Sequence, residues 1–171
     1  VKTEKAEEAL RNSEAKLRAI VTSSPDAITV FDLEGKVTEL NDAALKMHGF
    51  SSKEEIIGKS SFDYVVPNEL PRAMKLFERV LKGKCVKNAK ISLLTVDGRE
   101  LCTEISSSPI KDAKGKPAFM VVEIVDITKR KKAEEALKTS EERYRNLFEN
   151  SKDMKILYDL KGNIAAVNKV A

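Results

Sequence analysis

The chain has 171 residues, with 31 Lys or Arg and 27 Asp or Glu, which gives a formal net charge of +4. This length fits one domain of ordinary size with additional helix, or two small domains. Two Cys and one His exclude a zinc cluster of spaced Cys and His ligands, so we expect no metal site. Finely alternating Lys and Glu argue against a nucleic-acid surface, and no apolar run in the sequence is long enough for a membrane segment.

The first predicted element is an amphipathic helix over residues 1–22. Its small and apolar residues recur at alternating spacings of four and three residues, which is typical of a heptad seam. The seam residues are Ala6, Leu10, Ser13, Leu17 and Ile20. A helix packed on its own domain and a two-stranded coiled coil that joins modules both fit this pattern.

Residues 23–128 follow with the pattern of an α+β domain. Two strands, the first over about 27–33, flank a turn at Gly35. Asn41 is placed to cap a short helix, because its side chain can accept a hydrogen bond from an unpaired helical N–H group. Short helical segments continue to Gly83, where the longest of them ends.

Three strands then close the domain, over about 86–96, 99–110 and 117–127. In the hairpin formed by the first two, the inward-facing Leu93 is expected opposite Leu101, and Ile91 opposite Thr103. This pairing requires a three-residue loop that ends at Gly98, with Gly98 in the left-handed conformation. The sequence therefore predicts a bulged hairpin loop here.

The same register separates the two cysteines. It places Cys102 opposite Ser92 and Cys85 opposite Pro109, beyond the reach of a disulfide. Two free thiols suit a reducing compartment, so we expect a cytoplasmic protein.

The last strand of the domain has an apolar outer face as well as an apolar inner face. Phe119, Val121 and Val125 share the outer face with one charged residue, Glu123. A sheet face this apolar is expected to be covered by the leading helix or by a second subunit.

The chain then repeats itself with an offset of 127 residues. The clearest matches are those of Asp32-Leu33-x-Gly35 with Asp159-Leu160-x-Gly162 and of Asn41 with Asn168. The seam of the first helix also returns, as Ala133, Leu137, Ser140, Tyr144 and Leu147. We therefore assign residues 129–150 to a connecting helix and residues 151–171 to the start of a second, truncated repeat.

Taken in order, the motifs of residues 14–128 resemble those of the PAS sensor domain, or PAS/PAC sensory box. The matching segments are Asp32-Leu33-Glu34-Gly35-Lys36, Asn41-x-Ala43-Ala44, Gly49-Phe50-Ser51-x-x-Glu54-Glu55-Ile56-Ile57-Gly58-Lys59, Asp97-Gly98, Ser108-Pro109-Ile110-x-Asp112-x-x-Gly115 and Asp126-Ile127-Thr128. The resemblance implies an α+β fold with a five-stranded antiparallel sheet, helices on one face and amphipathic connecting helices on either side. It also implies a tandem array of the kind found in sensor histidine kinases.

In the family, sheet and helices enclose a small cavity for a ligand or cofactor, and strand alternation predicts its lining. The candidate cavity residues are Ile28, Val30, Phe62, Met74, Phe77, Ile91, Leu93, Leu101, Thr103, Ile105, Val122 and Ile124. A small apolar ligand, or tight self-packing, fits such a lining. The junction Asp126-Ile127-Thr128 is the candidate signal relay, where a short polar residue caps the connecting helix.

The residues argue against the cofactors that some PAS domains hold, and we predict none. Ser61 stands where a light-sensing flavin domain needs a reactive Cys, and Leu93, Thr103 and Ile124 replace the amides that would bind the flavin ring. His48, the one candidate haem ligand, ends a short helix, where its imidazole can serve the last carbonyls of that helix.

The sequence contains no phosphate-binding loop and no nucleophile elbow, so this fragment is not expected to be an enzyme. The leading hypothesis is a sensory and signal-relay module of a histidine kinase whose catalytic domain lies outside the fragment. Its expected partners are a second copy, paired through the amphipathic helices, and neighbouring PAS and output domains. The alternatives are a dimerisation module without a ligand, and a flavin or haem sensor of redox state or gas.

Overall fold

The computed structural model describes residues 2–170, and within them the side chains of residues 7–9 and 11–170. The seam positions Ala6 and Leu10 lie outside the described side chains. The chain forms two compact units, one up to Thr128 and one from Lys129 onward. None of the described helices is both long and apolar enough to cross a lipid bilayer.

Within the described residues, the first unit combines three α-helices with a single antiparallel sheet. Its elements are α1 (Lys2–Ser23), β1 (Ala27–Phe31), β2 (Val37–Leu40), α2 (Asp42–His48), α3 (Leu70–Leu81), β3 (Val86–Leu94), β4 (Glu100–Lys111) and β5 (Pro117–Asp126). Single 3₁₀ turns lie between α2 and α3, over Lys53–Glu55, Ser61–Tyr64 and Pro67–Glu69. The strand order is β2-β1-β5-β4-β3, which confirms the predicted five-stranded α+β fold.

Asn41 joins three elements of this unit through its side chain. Its Oδ1 accepts hydrogen bonds from the backbone N–H groups of Ala44, at 3.0 Å, and Ile28, at 3.0 Å. Its Nδ2 donates to the carbonyl oxygens of Val21, at 3.1 Å, and Asp26, at 2.9 Å. The predicted helix cap is therefore confirmed, and the same amide also holds the end of α1 and the start of β1.

The β3–β4 hairpin has the predicted register. Leu93 pairs with Leu101 and Ile91 pairs with Thr103. Beyond the last pair, the N–H of Thr95 donates to the carbonyl of Arg99, so three residues form the loop. Gly98 has φ 79°, a left-handed conformation that glycine adopts without a Cβ clash.

One part of the predicted register is wrong by a residue. Asn88 has φ 51°, and the pairing shifts by one residue between Val86 and Ala89. The bulge brings Cys85 beside Ser108, whose hydroxyl lies 3.4 Å from the Cys85 Sγ, instead of opposite Pro109. Neither cysteine forms a disulfide, as expected from their separation.

The apolar outer face of β5 is only partly covered within the described residues. Phe119 is 43% exposed and Val125 is 37% exposed, whereas Val121 is half-buried. The expectation that the leading helix covers this face is therefore wrong. The last turn of α1 is instead held at the β2 edge of the sheet, where the Val21 carbonyl accepts from Asn41 directly after β2.

The second unit consists of α4 (Thr128–Glu149), which begins at the junction, and the hairpin of β6 (Ile156–Tyr158) and β7 (Ile164–Val167). Asn168 reproduces three of the four side-chain hydrogen bonds of Asn41. Its Oδ1 accepts from the N–H of Lys155, and its Nδ2 donates to the carbonyls of Phe148 and Asp153. The sequence repeat is thus also a repeat of local structure.

Candidate functional site

The inner face of the sheet and the helices packed on it enclose a cavity of about 110 Å³. Seven of the predicted residues lie on its wall: Phe62, Phe77, Ile91, Leu93, Ile105, Val122 and Ile124. Fourteen further residues line it as well: Thr29, Phe31, Val37, Leu40, His48, Phe50, Ile56, Ser61, Tyr64, Val65, Ala73, Leu76, Ser107 and Met120. The site is therefore a chamber, a partly open cavity between the sheet and the helices of the first unit.

On β1 the predicted parity was wrong. The strand pairs with β5 so that Thr29 is opposite Val122 and Phe31 is opposite Met120. Directly opposed residues share a face, so Thr29 and Phe31 point into the cavity and Ile28 and Val30 lie on the outer face. Both faces of β1 carry apolar residues, so the sequence of the strand alone does not show which face points inward. The pairing of β1 with β5 decides it.

Three other predicted residues also lie away from the cavity wall. Met74 is 49% exposed on α3, because the apolar stripe of that helix is centred on Ala73, Leu76 and Phe77 instead. Leu101 and Thr103 are buried, but they lie near the hairpin end of β4, beyond the chamber. The Thr103 hydroxyl donates to the carbonyl of Ile91 at 2.6 Å.

Aromatic rings form much of the wall opposite the sheet. The rings of Phe62 and Phe77 meet edge to face with centroids 5.3 Å apart, and those of Phe50 and Tyr64 do so at 5.2 Å. This geometry places the positive edge of one ring against the negative face of the other. The pairs hold the helical side of the chamber in a fixed shape.

His48 lies on the cavity wall, not at the surface. It is 9% exposed, and its ring packs beside those of Phe50 and Tyr64. Its Nδ1 lies 3.2 Å from the carbonyl oxygen of Leu94, which can only accept, so Nδ1 carries the proton. Burial lowers the pKa of His48, so the ring is neutral near pH 7. His48 does not serve the last carbonyls of its helix as expected, and the Leu45 carbonyl accepts instead from the N–H of Gly49.

The chamber wall carries no Lys, Arg, Asp or Glu among the described residues. Its polar groups are the His48 ring and the hydroxyls of Thr29, Ser61, Tyr64 and Ser107. A charged ligand would lose its hydration here without gaining an ion pair. The chemistry of the wall therefore suits a neutral, mainly apolar molecule.

The predicted relay residues form a compact junction at the end of β5. The carboxylate of Asp126 accepts from the N–H of Thr128 at 2.8 Å, which satisfies the first N–H of α4. The N–H of Ile127 donates to the carbonyl of Cys102 at 2.9 Å, and the Thr128 hydroxyl accepts from the N–H of Cys102 at 2.9 Å. Asp126 acts as the cap, and Thr128 attaches the helix start to β4.

Sequence reasoning missed the polar part of the wall. Thr29 and Ser107 stand at alternating positions that their strand registers place inward, so the β1–β5 and β4–β5 pairings would have identified both. For His48, the available signal was its position in the helix. It follows Ala44 by four residues and therefore shares the buried face of α2.

The chain matches known proteins over most of this unit. Residues 15–127 match the family described as "PAS fold". Sporulation kinase A of Bacillus subtilis (strain 168) is 31% identical over 134 residues, which is 78% of this chain and 22% of the kinase. The C4-dicarboxylate transport sensor protein DctS of Rhodobacter capsulatus is 26% identical over 139 residues, which is 80% of this chain and 21% of DctS.

A solved structure agrees with the fold. The crystal structure of a PAS domain from Colwellia psychrerythraea superimposes with a TM-score of 0.61 at 26% identity, and it covers 67% of this chain and 98% of that one. The chain belongs to the PAS family. It spans about a fifth of the length of the two curated relatives described above.

Proposed function

We propose that the chain is a sensory and signal-relay module of a larger signalling protein. Its first unit binds a small neutral ligand in the internal cavity and passes the occupied state to α4. The observation that carries this proposal is continuity. The strand that forms part of the cavity wall, β5, runs directly into the junction where α4 begins.

The physical link is short. Val122 and Ile124 line the cavity, and Asp126, two residues further along the strand, caps α4. A ligand that binds more tightly when β5 is in one position than in another shifts the equilibrium between the two positions of the strand. That differential affinity is the coupling free energy between the cavity and the helix.

The lack of charged side chains on the described cavity wall limits the class of ligand that it can bind. DctS is named for C4-dicarboxylate transport. A dicarboxylate needs cationic partners when it leaves water, and the cavity wall described here has none. We therefore propose an uncharged ligand for this chain.

The relatives support a histidine kinase as the parent protein, because Sporulation kinase A is named as a kinase and DctS as a sensor protein. In this proposal the catalytic domain lies outside the fragment, in the cytoplasm. The repeated Asn41 and Asn168 contacts support a tandem array, in which α4 joins one PAS unit to the next. We propose that this unit binds no cofactor.

A second candidate function is dimerisation without a ligand. It is favoured by apolar residues that the described unit leaves exposed on α1, where Leu17 is 62% and Ile20 is 58% exposed. Both belong to the predicted heptad seam, and pairing with a second copy would bury them. Leu17→Lys with Ile20→Lys should then convert a dimer to a monomer in sedimentation velocity, whereas Asn12→Lys, at an exposed position of the same helix away from the seam, should not.

The relay is tested with Asp126→Ala and Thr128→Ala in the full-length protein. Both variants should lose the effect of ligand on output while still binding the ligand in the cavity. Asp112→Ala is the matched control, because Asp112 accepts from the N–H of Lys114 at 2.8 Å in an equivalent turn at the other end of β5. Unchanged regulation in both junction variants would contradict the relay and leave Asp126 as a simple cap.

A further inference from the structure

Two residues on the cavity wall, Thr29 and Ser107, carry hydroxyls that make no side-chain hydrogen bond within the described part of the chain. Thr29 is 5% exposed and Ser107 is 6% exposed, and both line the chamber. Neither hydroxyl makes a hydrogen bond to a protein group there, and neither oxygen is fully buried, so both remain accessible to a small molecule. Thr103, on the same sheet face, differs because its hydroxyl is bonded to the carbonyl of Ile91.

The two residues lie in one row across the sheet. Thr29 pairs with Val122 on β5, and Val122 pairs with Ser107 on β4. Since neighbouring strands are about 4.8 Å apart, the row places the two backbones about 10 Å apart on either side of Val122. Both hydroxyls thus flank the same apolar floor, at the centre of the sheet.

An unpaired hydroxyl in such a place is unfavourable. Folding removes most of its water partners, and an apolar neighbour does not replace them. Valine at position 29 or alanine at position 107 would avoid this penalty and keep the wall apolar. The free hydroxyls are therefore groups that a bound molecule can satisfy.

We propose that Thr29 and Ser107 are the polar anchors of the ligand site, and that the ligand is a neutral molecule of about one six-membered ring bearing a hydroxyl or another uncharged hydrogen-bonding group. This inference rests on the proposed sensory function. The size follows from the chamber, which at about 110 Å³ is somewhat smaller than an apolar cavity of about 150 Å³ that holds benzene. The neutrality follows from a wall without charged residues, and the polar group from the two hydroxyls.

The test compares two probes that differ by one hydroxyl, phenol and benzene. Dissociation constants for both are measured on the whole chain by NMR titration of the Val122 and Ile124 methyl groups, which also locates binding in the chamber. The wild-type protein is compared with the double variant Thr29→Val, Ser107→Ala. Removing the hydroxyls should shift the ratio of phenol to benzene affinity at least tenfold toward benzene, mainly by weakening phenol.

Thr38→Val is the matched control. It makes the same chemical change as Thr29→Val on β2, where the hydroxyl donates to the carbonyl of Val30 and does not line the chamber. It should leave the affinity ratio of the wild-type protein within threefold.

The possible outcomes distinguish the anchoring role of the two hydroxyls from the ligand-binding function on which it rests. If both probes bind and the double variant leaves their ratio unchanged, the hydroxyls serve only buried water, and the anchoring role is overturned while the sensory proposal stands. If neither probe binds the wild-type chamber up to its solubility limit, the anchor assignment and the ligand-binding function proposed above are both overturned.

Discussion

Replacing Asn41 with Ala should destabilise the first unit, because it removes the side-chain hydrogen bonds that join three of its elements. Asn41 is 3% exposed, and its amide makes four hydrogen bonds that connect α1, β1 and α2. Loss of the helix cap costs about 1 kcal/mol. The N–H of Ile28 loses its partner as well, and an unpaired backbone donor adds about 1–3 kcal/mol. We therefore expect a loss of about 2–4 kcal/mol, a large part of the stability of a small domain.

The assay is hydrogen exchange of β1 and β5 peptides at increasing urea, followed by mass spectrometry, because it reports on the first unit separately. Asn168→Ala is the internal control. It removes the equivalent bonds to Lys155, Phe148 and Asp153 in the second unit, and it should leave exchange in β1 and β5 unchanged. A loss below 0.5 kcal/mol for Asn41→Ala, or equal effects of the two variants on β1, would refute the assignment of Asn41 as the connecting residue.

Two further predictions concern the cavity wall. Gly35→Ala should be more destabilising than Gly115→Ala in thermal unfolding, because both glycines have a left-handed φ but a Cβ at Gly35 would lie 2.7 Å from the Phe62 ring, whereas one at Gly115 meets nothing within 4 Å; equal shifts would contradict the contact. Because burial lowers the pKa of His48 from 6.5, the unfolded chain takes up the proton first, so stability should fall as pH drops below about 6.5, by at most about 1.4 kcal/mol per pH unit. The free energy of unfolding of His48→Phe, measured with urea across this pH range, should lack this His48 contribution. The neighbouring Tyr64 does not interfere, because burial raises its pKa and its hydroxyl stays neutral throughout. Identical pH profiles for the wild-type protein and the variant would show that His48 is not buried.

The sequence was sufficient for features that depend on local chemistry. The inward-facing Leu93 and Leu101 had to be paired, and this register required a three-residue loop with a left-handed Gly98, as the structure has it. Asn41 was recognisable as a cap because a short polar side chain stood directly before an apolar helix. In both cases a few neighbouring residues contain the whole physical reason.

The features that sequence reasoning missed depend on pairing between distant segments. Whether Thr29 or Ile28 faces inward is decided by the register of β1 against β5, almost a hundred residues later. The bulge at Asn88 moves Cys85 by one position, and no apolar pattern in β3 marks it. The burial of His48 depends on the contact between α2 and β3, where the Leu94 carbonyl accepts a hydrogen bond from Nδ1.

The central claim is that the cavity and the start of α4 are coupled through β5. The most direct measurement is an NMR titration of the whole chain with phenol, in which the methyl groups of Val122 and Ile124 report occupancy and the backbone amides of Ile127 and Thr128 report the junction. We predict that both sets of resonances shift with the same dissociation constant. Asp126→Ala should remove the shift of the Thr128 amide and leave the shifts of the cavity methyl groups unchanged. Saturation of the cavity methyl groups with no change at Ile127 or Thr128 would contradict this coupling.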